Sequence, residues 1–164
     1  MKEKQKTFQE IYNSNYDKVM RLCLGYLAGN QDEAKDLTQE VFIRVWDNLD
    51  DFRNDSKVST WIYRITVNTC LSQLRIIKKK VKIYTADTIP ETPEEVPTTD
   101  REKMFESLHS CINKLSETNK AIILLELEGF PQKEIAEVIG IKHEAIRTRI
   151  HRIKNELTKC VHHE

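Results

Sequence analysis

Apolar residues recur along this chain at three- and four-residue steps, the spacing of one face of an α-helix. Between residues 5 and 29 they are Phe8, Ile11, Tyr12, Tyr16, Val19, Met20, Leu22, Cys23 and Leu27, and Gly29-Asn30 closes the element. A second helix is predicted over 33–49, with Ala34, Leu37, Val41, Val45 and Leu49 in a stripe, Phe42 beside it and Asp32 as cap. After a polar bend at 50–58, a third helix starts at a Ser59 or Thr60 cap. Its stripe is Tyr63, Val67, Cys70, Leu74 and Ile77, widened by Leu71. Residues 104–160 are helical again. Within them, Ile135, Ala136 and Ile139 face a core, Gly140 suits a tight turn, and Ile146, Ile150, Ile153 and Leu157 mark a longer helix. Short helix, glycine turn and long helix make a helix-turn-helix.

The pattern stops between the two helical blocks. Residues 84–100, YTADTIPETPEEVPTTD, hold three of the four prolines and five threonines without periodicity. The expected organisation is all-α: a domain at 1–80, a flexible acidic linker at 81–103, and a domain at 104–164 that contains the helix-turn-helix. Fully extended, that linker would reach about 70 Å.

Charge sharpens the picture. The net charge of the whole chain is zero, yet residues 30–52 carry −5, 53–82 carry +7, the linker −3 and 141–160 carry +4. Two basic patches divided by acidic ground suit two contacts with one polyanion, the acidic surfaces facing something else.

The residues turned away from the apolar stripes supply candidate chemistry. On the third helix, Trp61, Asn68 and Ser72 lie nearly opposite the core stripe, with Arg64 and Arg75 at its border. Such a surface stacks a planar base and holds its phosphates; the plainer alternative is a tryptophan packed under a neighbouring loop. On the second helix, Ile43 and Trp46 stand among Asp36, Gln39, Glu40 and Asp47, which reads as a protein-binding face or as a wider core stripe covering Trp46. The last helix presents Glu144, Thr148, His151 and Asn155, flanked by Arg147 and Arg152, with Arg149 and Lys154 placed for phosphate contacts. A charged helix in a small bundle is the competing account.

Four cysteines at 23, 70, 111 and 160 form no CxxC and are expected as buried free thiols. The tail Cys160-Val161-His162-His163-Glu164 is expected to fray, weak metal binding by its thiol and imidazoles being the alternative. No cofactor and no metal site are expected. Catalysis is not expected either: HExxH, GxSxG and a phosphate loop are absent, and His109, His143 and His151 fall on predicted helix surfaces. No apolar run approaches a membrane span and the start lacks a signal-like segment, so a cytoplasmic location is expected.

Together, DLTQEVFIRVWDNLDDFRNDSKVSTWIYRITVN, the proline-rich acidic linker and EIAEVIGIKHEAIRTRIHRIK resemble an extracytoplasmic-function sigma factor of bacterial RNA polymerase. The resemblance runs over nearly the whole chain. It implies a protein that directs core RNA polymerase to promoters and assists melting. Asp36, Gln39, Glu40, Ile43 and Trp46 would dock on the polymerase. The loop from Leu49 to Lys57, with Phe52, would hold a base flipped from the −10 element, and Trp61, Arg64, Asn68 and Arg75 would line the melted strand. Glu144, Arg147, Thr148, Arg149, His151, Arg152 and Lys154 would read the duplex −35 element. The linker would run through polymerase, and an inhibitory anti-sigma partner is implied. Two departures stand out: Ser72 where an acid is common, and Glu144-Ala145 where Gly-Thr is frequent. The alternative reading is a helix-turn-helix regulator that never joins polymerase.

Overall fold

The computed structural model describes residues 1–84 and 96–163. Among the described residues seven α-helices make the fold: α1 (Lys2–Tyr26), α2 (Gln31–Asn48), α3 (Val58–Tyr84), α4 (Asp100–Asn113), α5 (Glu117–Leu127), α6 (Gln132–Ile139) and α7 (His143–His163). One 3-10 turn, Leu49–Asp51, follows α2. The two helical blocks are as expected, but the helices enter the anticipated linker from both sides, to Tyr84 and from Asp100. Thr99 and Glu102 form a reciprocal capping box at the start of α4, a Thr-x-x-Glu signature in the sequence. The flexibility expected of the linker falls mainly on 85–95, outside the described residues.

In the first half, α1, α2 and α3 enclose Val19, Leu22, Cys23, Ala34, Val41, Val45, Ile62 and Cys70. Asn30 rather than Asp32 caps α2, accepting from the Glu33 amide. Helix α3 begins at Val58, one residue before the anticipated caps, and the Thr60 hydroxyl turns to Glu137 instead. An aromatic cluster closes the open end of the bundle: Phe8 meets Phe42 and Trp46 edge-on, and Tyr12 and Tyr16 pack on Phe42.

In the second half, α5 is buried continuously from Lys120 to Leu125. No amphipathic pattern marks it because it is covered on several sides, by α6 and α7 and by α1 of the first half. Helices α1 and α5 approach closely at Gly25, where an added Cβ would sit 3.2 Å from Leu124. Tyr63 of α3 packs edge-on against Phe130 at 4.7 Å, and burial together with the nearby Glu134 carboxylate pushes its phenol up to about 12. The halves thus share one continuous apolar core.

Helix α3 is buried over a wider arc than its stripe foretold. Ile62, Thr66 and Thr69 are sealed alongside Tyr63, Val67 and Cys70. On another flank, Glu137 of the second half receives the Thr60 hydroxyl and the Arg64 guanidinium.

The cysteines depart from expectation. Cys23 and Cys70 are buried free thiols, their sulfurs 3.8 Å apart. Cys111 and Cys160 are instead joined by a disulfide, with their Cα atoms 6.0 Å apart. They lie 49 positions apart in the sequence, so spacing gave no cue; packing of α4 on α7 brings them together. The tail does not fray as anticipated: α7 continues to His163. His109 is no surface residue either, being buried with its Nε2 2.7 Å from the Gly25 carbonyl oxygen.

Candidate nucleic-acid and polymerase interface

Helix α2 presents Asp36, Gln39, Glu40 and Asp47 to solvent together with Ile43, which is 55% exposed. Glu40 is tied to Arg44 at 3.0 Å along the helix. Trp46 is less open than the sequence suggested. It is half-buried, edge-on to Phe8 at 5.2 Å, with the Lys4 ammonium 4.5 Å from its ring centre. The apolar part of this face is therefore Ile43 plus one side of an indole already anchored in the fold.

The 3-10 turn after α2 delivers Phe52 onto Trp61, rings stacked with centroids 4.7 Å apart and planes 29° from parallel. One face of Trp61 is thus covered by the very side chain expected to hold a base beside it. The remaining indole surface borders an open groove of about 360 Å³ lined by Arg44, Asn48, Asp51, Trp61, Ile65, Asn68 and Thr69. Asn68 is exposed there, so its amide is free of the core. Aromatic, amide and guanidinium groups converge on a cavity with room for a planar base. Arg44 and Asn48 were missed by the sequence reading because they belong to α2, whose outward residues pointed to a protein partner. Lys57 is exposed at the approach to α3.

The two arginines of α3 are engaged by the second half. Arg64 donates from Nε and a terminal nitrogen to the Glu137 carbonyl at 3.1 and 2.6 Å. Arg75 grips the Glu117 carboxylate with two bonds of 2.8 and 2.5 Å. That guanidinium holds the Glu117 carboxyl below the usual carboxylate range, and the carboxylate raises Arg75 in turn. Arg21 pairs with Glu128 at 2.8 Å across the same boundary.

At the far end, α6, Gly140 and α7 form the expected helix-turn-helix. Gly140 adopts φ +80°, and its amide bonds the Ala136 carbonyl at 2.8 Å. Ile146, Ile150, Ile153 and Leu157 are buried, which turns Glu144, Arg147, Thr148, Arg149, His151, Arg152 and Asn155 outward. Among the described residues Arg147, Arg149 and Arg152 have no ion-pair partner. Lys154 is paired with Glu126 at 3.1 Å. A groove of about 460 Å³ runs along this face, lined by Gln132, Arg147, Thr148, Ile150, His151 and Lys154. Gln132, at the first turn of α6, is the contact that sequence reading did not single out.

Residues 11–79 match sigma-70 region 2, and residues 105–157 match sigma-70 region 4. The sigma factor SigW of Bacillus subtilis is 31% identical over 171 residues, covering 94% of this chain and 89% of SigW. SigE of Mycolicibacterium smegmatis is 30% identical over 160 residues, covering 92% of this chain but only 60% of SigE. Among solved structures, the sigma factor RpoE in complex with the anti-sigma factor NepR from Bartonella quintana superposes with a TM-score of 0.67 at 23% identity, over 95% of this chain and 97% of that one. CnrH in complex with the cytosolic domain of CnrY gives 0.70 at 20% identity, over 98% and 90%. Both structures share the fold. With the two sigma regions in order and SigW matched over most of its length, the chain belongs to the extracytoplasmic-function sigma factors, the promoter-specificity subunits of bacterial transcription initiation.

Proposed function

We propose that this chain joins core RNA polymerase through the α2 face of Asp36, Gln39, Glu40, Ile43 and Trp46 and directs it to promoters with both halves. The groove beside Trp61 and Asn68 takes an unpaired base of the −10 strand, with Phe52 as the fixed backing of the stack and Lys57, Arg64 and Arg75 along the phosphates. Flipping a base out of the duplex costs a few kcal/mol, and stacking on an aromatic returns about 1–3 kcal/mol. Helix α7 enters the major groove of the −35 element, where Arg147, Arg149 and Arg152 are free to reach guanine edges or phosphates. Glu144 is placed to accept from a cytosine amino group. The chain makes and breaks no bond; binding energy within the holoenzyme drives melting. It works in the cytoplasm, and no described helix is long and apolar enough to cross a membrane. An inhibitory protein partner is part of this reading: RpoE was captured with the anti-sigma factor NepR, and CnrH with the cytosolic domain of CnrY.

The observation that carries the proposal is the convergence of Trp61, Asn68, Arg44 and Asn48 on one open groove of a helix otherwise clamped on its other sides. Transcription in vitro with core polymerase from the source bacterium, followed by sequencing of transcript starts, tests it. Discrete starts sharing spaced −35 and −10 sequences are expected. Tight sequence-specific duplex binding by the isolated chain, without any effect on core polymerase, would instead indicate a free-standing regulator.

A further inference from the structure

Cys111 sits near the end of α4 and Cys160 near the end of α7, and the bond between them closes a loop containing all of α5 and α6. The last core residue of α7 is Leu157; beyond it the helix is held against α4 by Cys160 and the partly buried Val161. Accessibility differs sharply among the four sulfurs. Cys23 and Cys70 are wholly sealed in the first half, and Cys111 is buried. Cys160 is half-exposed, next to a surface groove lined by Met104, Ser107, Ser110 and Val161. It is the one cysteine that an external sulfur can approach.

A chain that works beside polymerase sits in reducing surroundings, where disulfides form and break rather than persist. We infer that Cys111 and Cys160 are a thiol-oxidation site, closed by exchange with a small disulfide of the glutathione type, whose state sets the order of the C-terminal half. The Cys160 thiolate attacks one sulfur of the small disulfide, forming a mixed disulfide and expelling one small thiolate. The Cys111 thiolate then attacks the Cys160 sulfur, forming the internal bond and expelling the second. Two protein thiols give up two electrons and two protons, and the small disulfide becomes two thiols. An excess of small thiol reverses both steps. Oxidation staples the rear of α7 to α4 and so steadies the helix that carries residues 144–154. The reducing surroundings and the consequence for promoter use rest on the proposed function, whereas the pairing of Cys111 with Cys160 does not.

The test uses the full chain equilibrated across a series of reduced-to-oxidised glutathione ratios. Samples are quenched in acid, unfolded, alkylated and peptide-mapped, with thermal unfolding followed in parallel. Cys111 and Cys160 are expected to lose alkylation together within the series, and the melting temperature to rise by about 5 °C or more on oxidation. Cys160→Ser, at a half-exposed position, should melt like the reduced wild type and show no rise. Alkylation of both cysteines at every ratio overturns the inference, as does a bond that survives fully reduced glutathione. Equal melting of the two states, or a rise that persists in Cys160→Ser and so belongs to Cys23 and Cys70, overturns it equally. None of these readouts involves DNA, so failure here is distinguishable from failure of the promoter reading.

Discussion

Ile43 and Trp46 lie on the same face of α2, yet they are not equivalent. Ile43 is mostly in solvent, so Ile43→Ala should weaken association with core polymerase while unfolding stability stays within about 0.5 kcal/mol of wild type. Trp46 also packs on Phe8 and carries Lys4 above it, so Trp46→Ala should lose both affinity and about 2 kcal/mol of stability. Paired binding and denaturant titrations separate the two effects. Asn68→Ala should lower open-complex formation more than core binding, because its exposed amide carries no packing; equal losses in permanganate footprinting and core titration would point to a folding defect. The sequence marked Ile43, Trp61 and Asn68 as outward because helical phase alone decides that. It did not mark the stacking of Phe52 on Trp61, which depends on where a 3-10 turn happens to deliver the ring.

Helix α7 carries the clearest division of labour, four buried aliphatic residues behind an unpaired row of arginines. Ile153→Ala removes a fully buried side chain and should cost about 3 kcal/mol in a urea titration. Arg149→Ala should leave the melting temperature unchanged, weaken binding to promoter duplex uniformly across sequences and reduce the salt slope by about one. The helix-turn-helix was legible because its signals are local: a 3.6-residue period, a glycine at positive φ and a second period. The first turn of α4 was missed although Thr99 and Glu102 write its cap, since the prolines just before them dominated the composition. Helix α5 carries no periodic signal at all, because a helix covered on several sides has no polar face to alternate with.

The two halves meet through shared core and through Arg21–Glu128, Arg75–Glu117, the Arg64–Glu137 carbonyl bonds and His109 on Gly25. Arg64 and Arg75, which promoter DNA would use, are thus occupied by the second half in this arrangement, and DNA must compete for them. Glu117→Lys sets a positive charge against Arg75 and should favour separation; small-angle scattering would show it as a rise above the roughly 15 Å radius of gyration of a compact chain this size. The acid limb has a definite sign. A carboxyl held below its ordinary range contributes above that range and loses its contribution as pH falls through the lowered value, so the Arg75–Glu117 contact should weaken at pH below the usual carboxylate range and with added salt. The sequence by itself determined the helices, their outward chemistry and the helix-turn-helix, because each follows from the order of residues within one or two turns. Only the tertiary structure decided that Cys111 meets Cys160, that His109 is buried, that α3 is covered on a second flank and that Arg64 and Arg75 are engaged. Those outcomes join residues 42 to 84 positions apart, and no local period carries information across such distances.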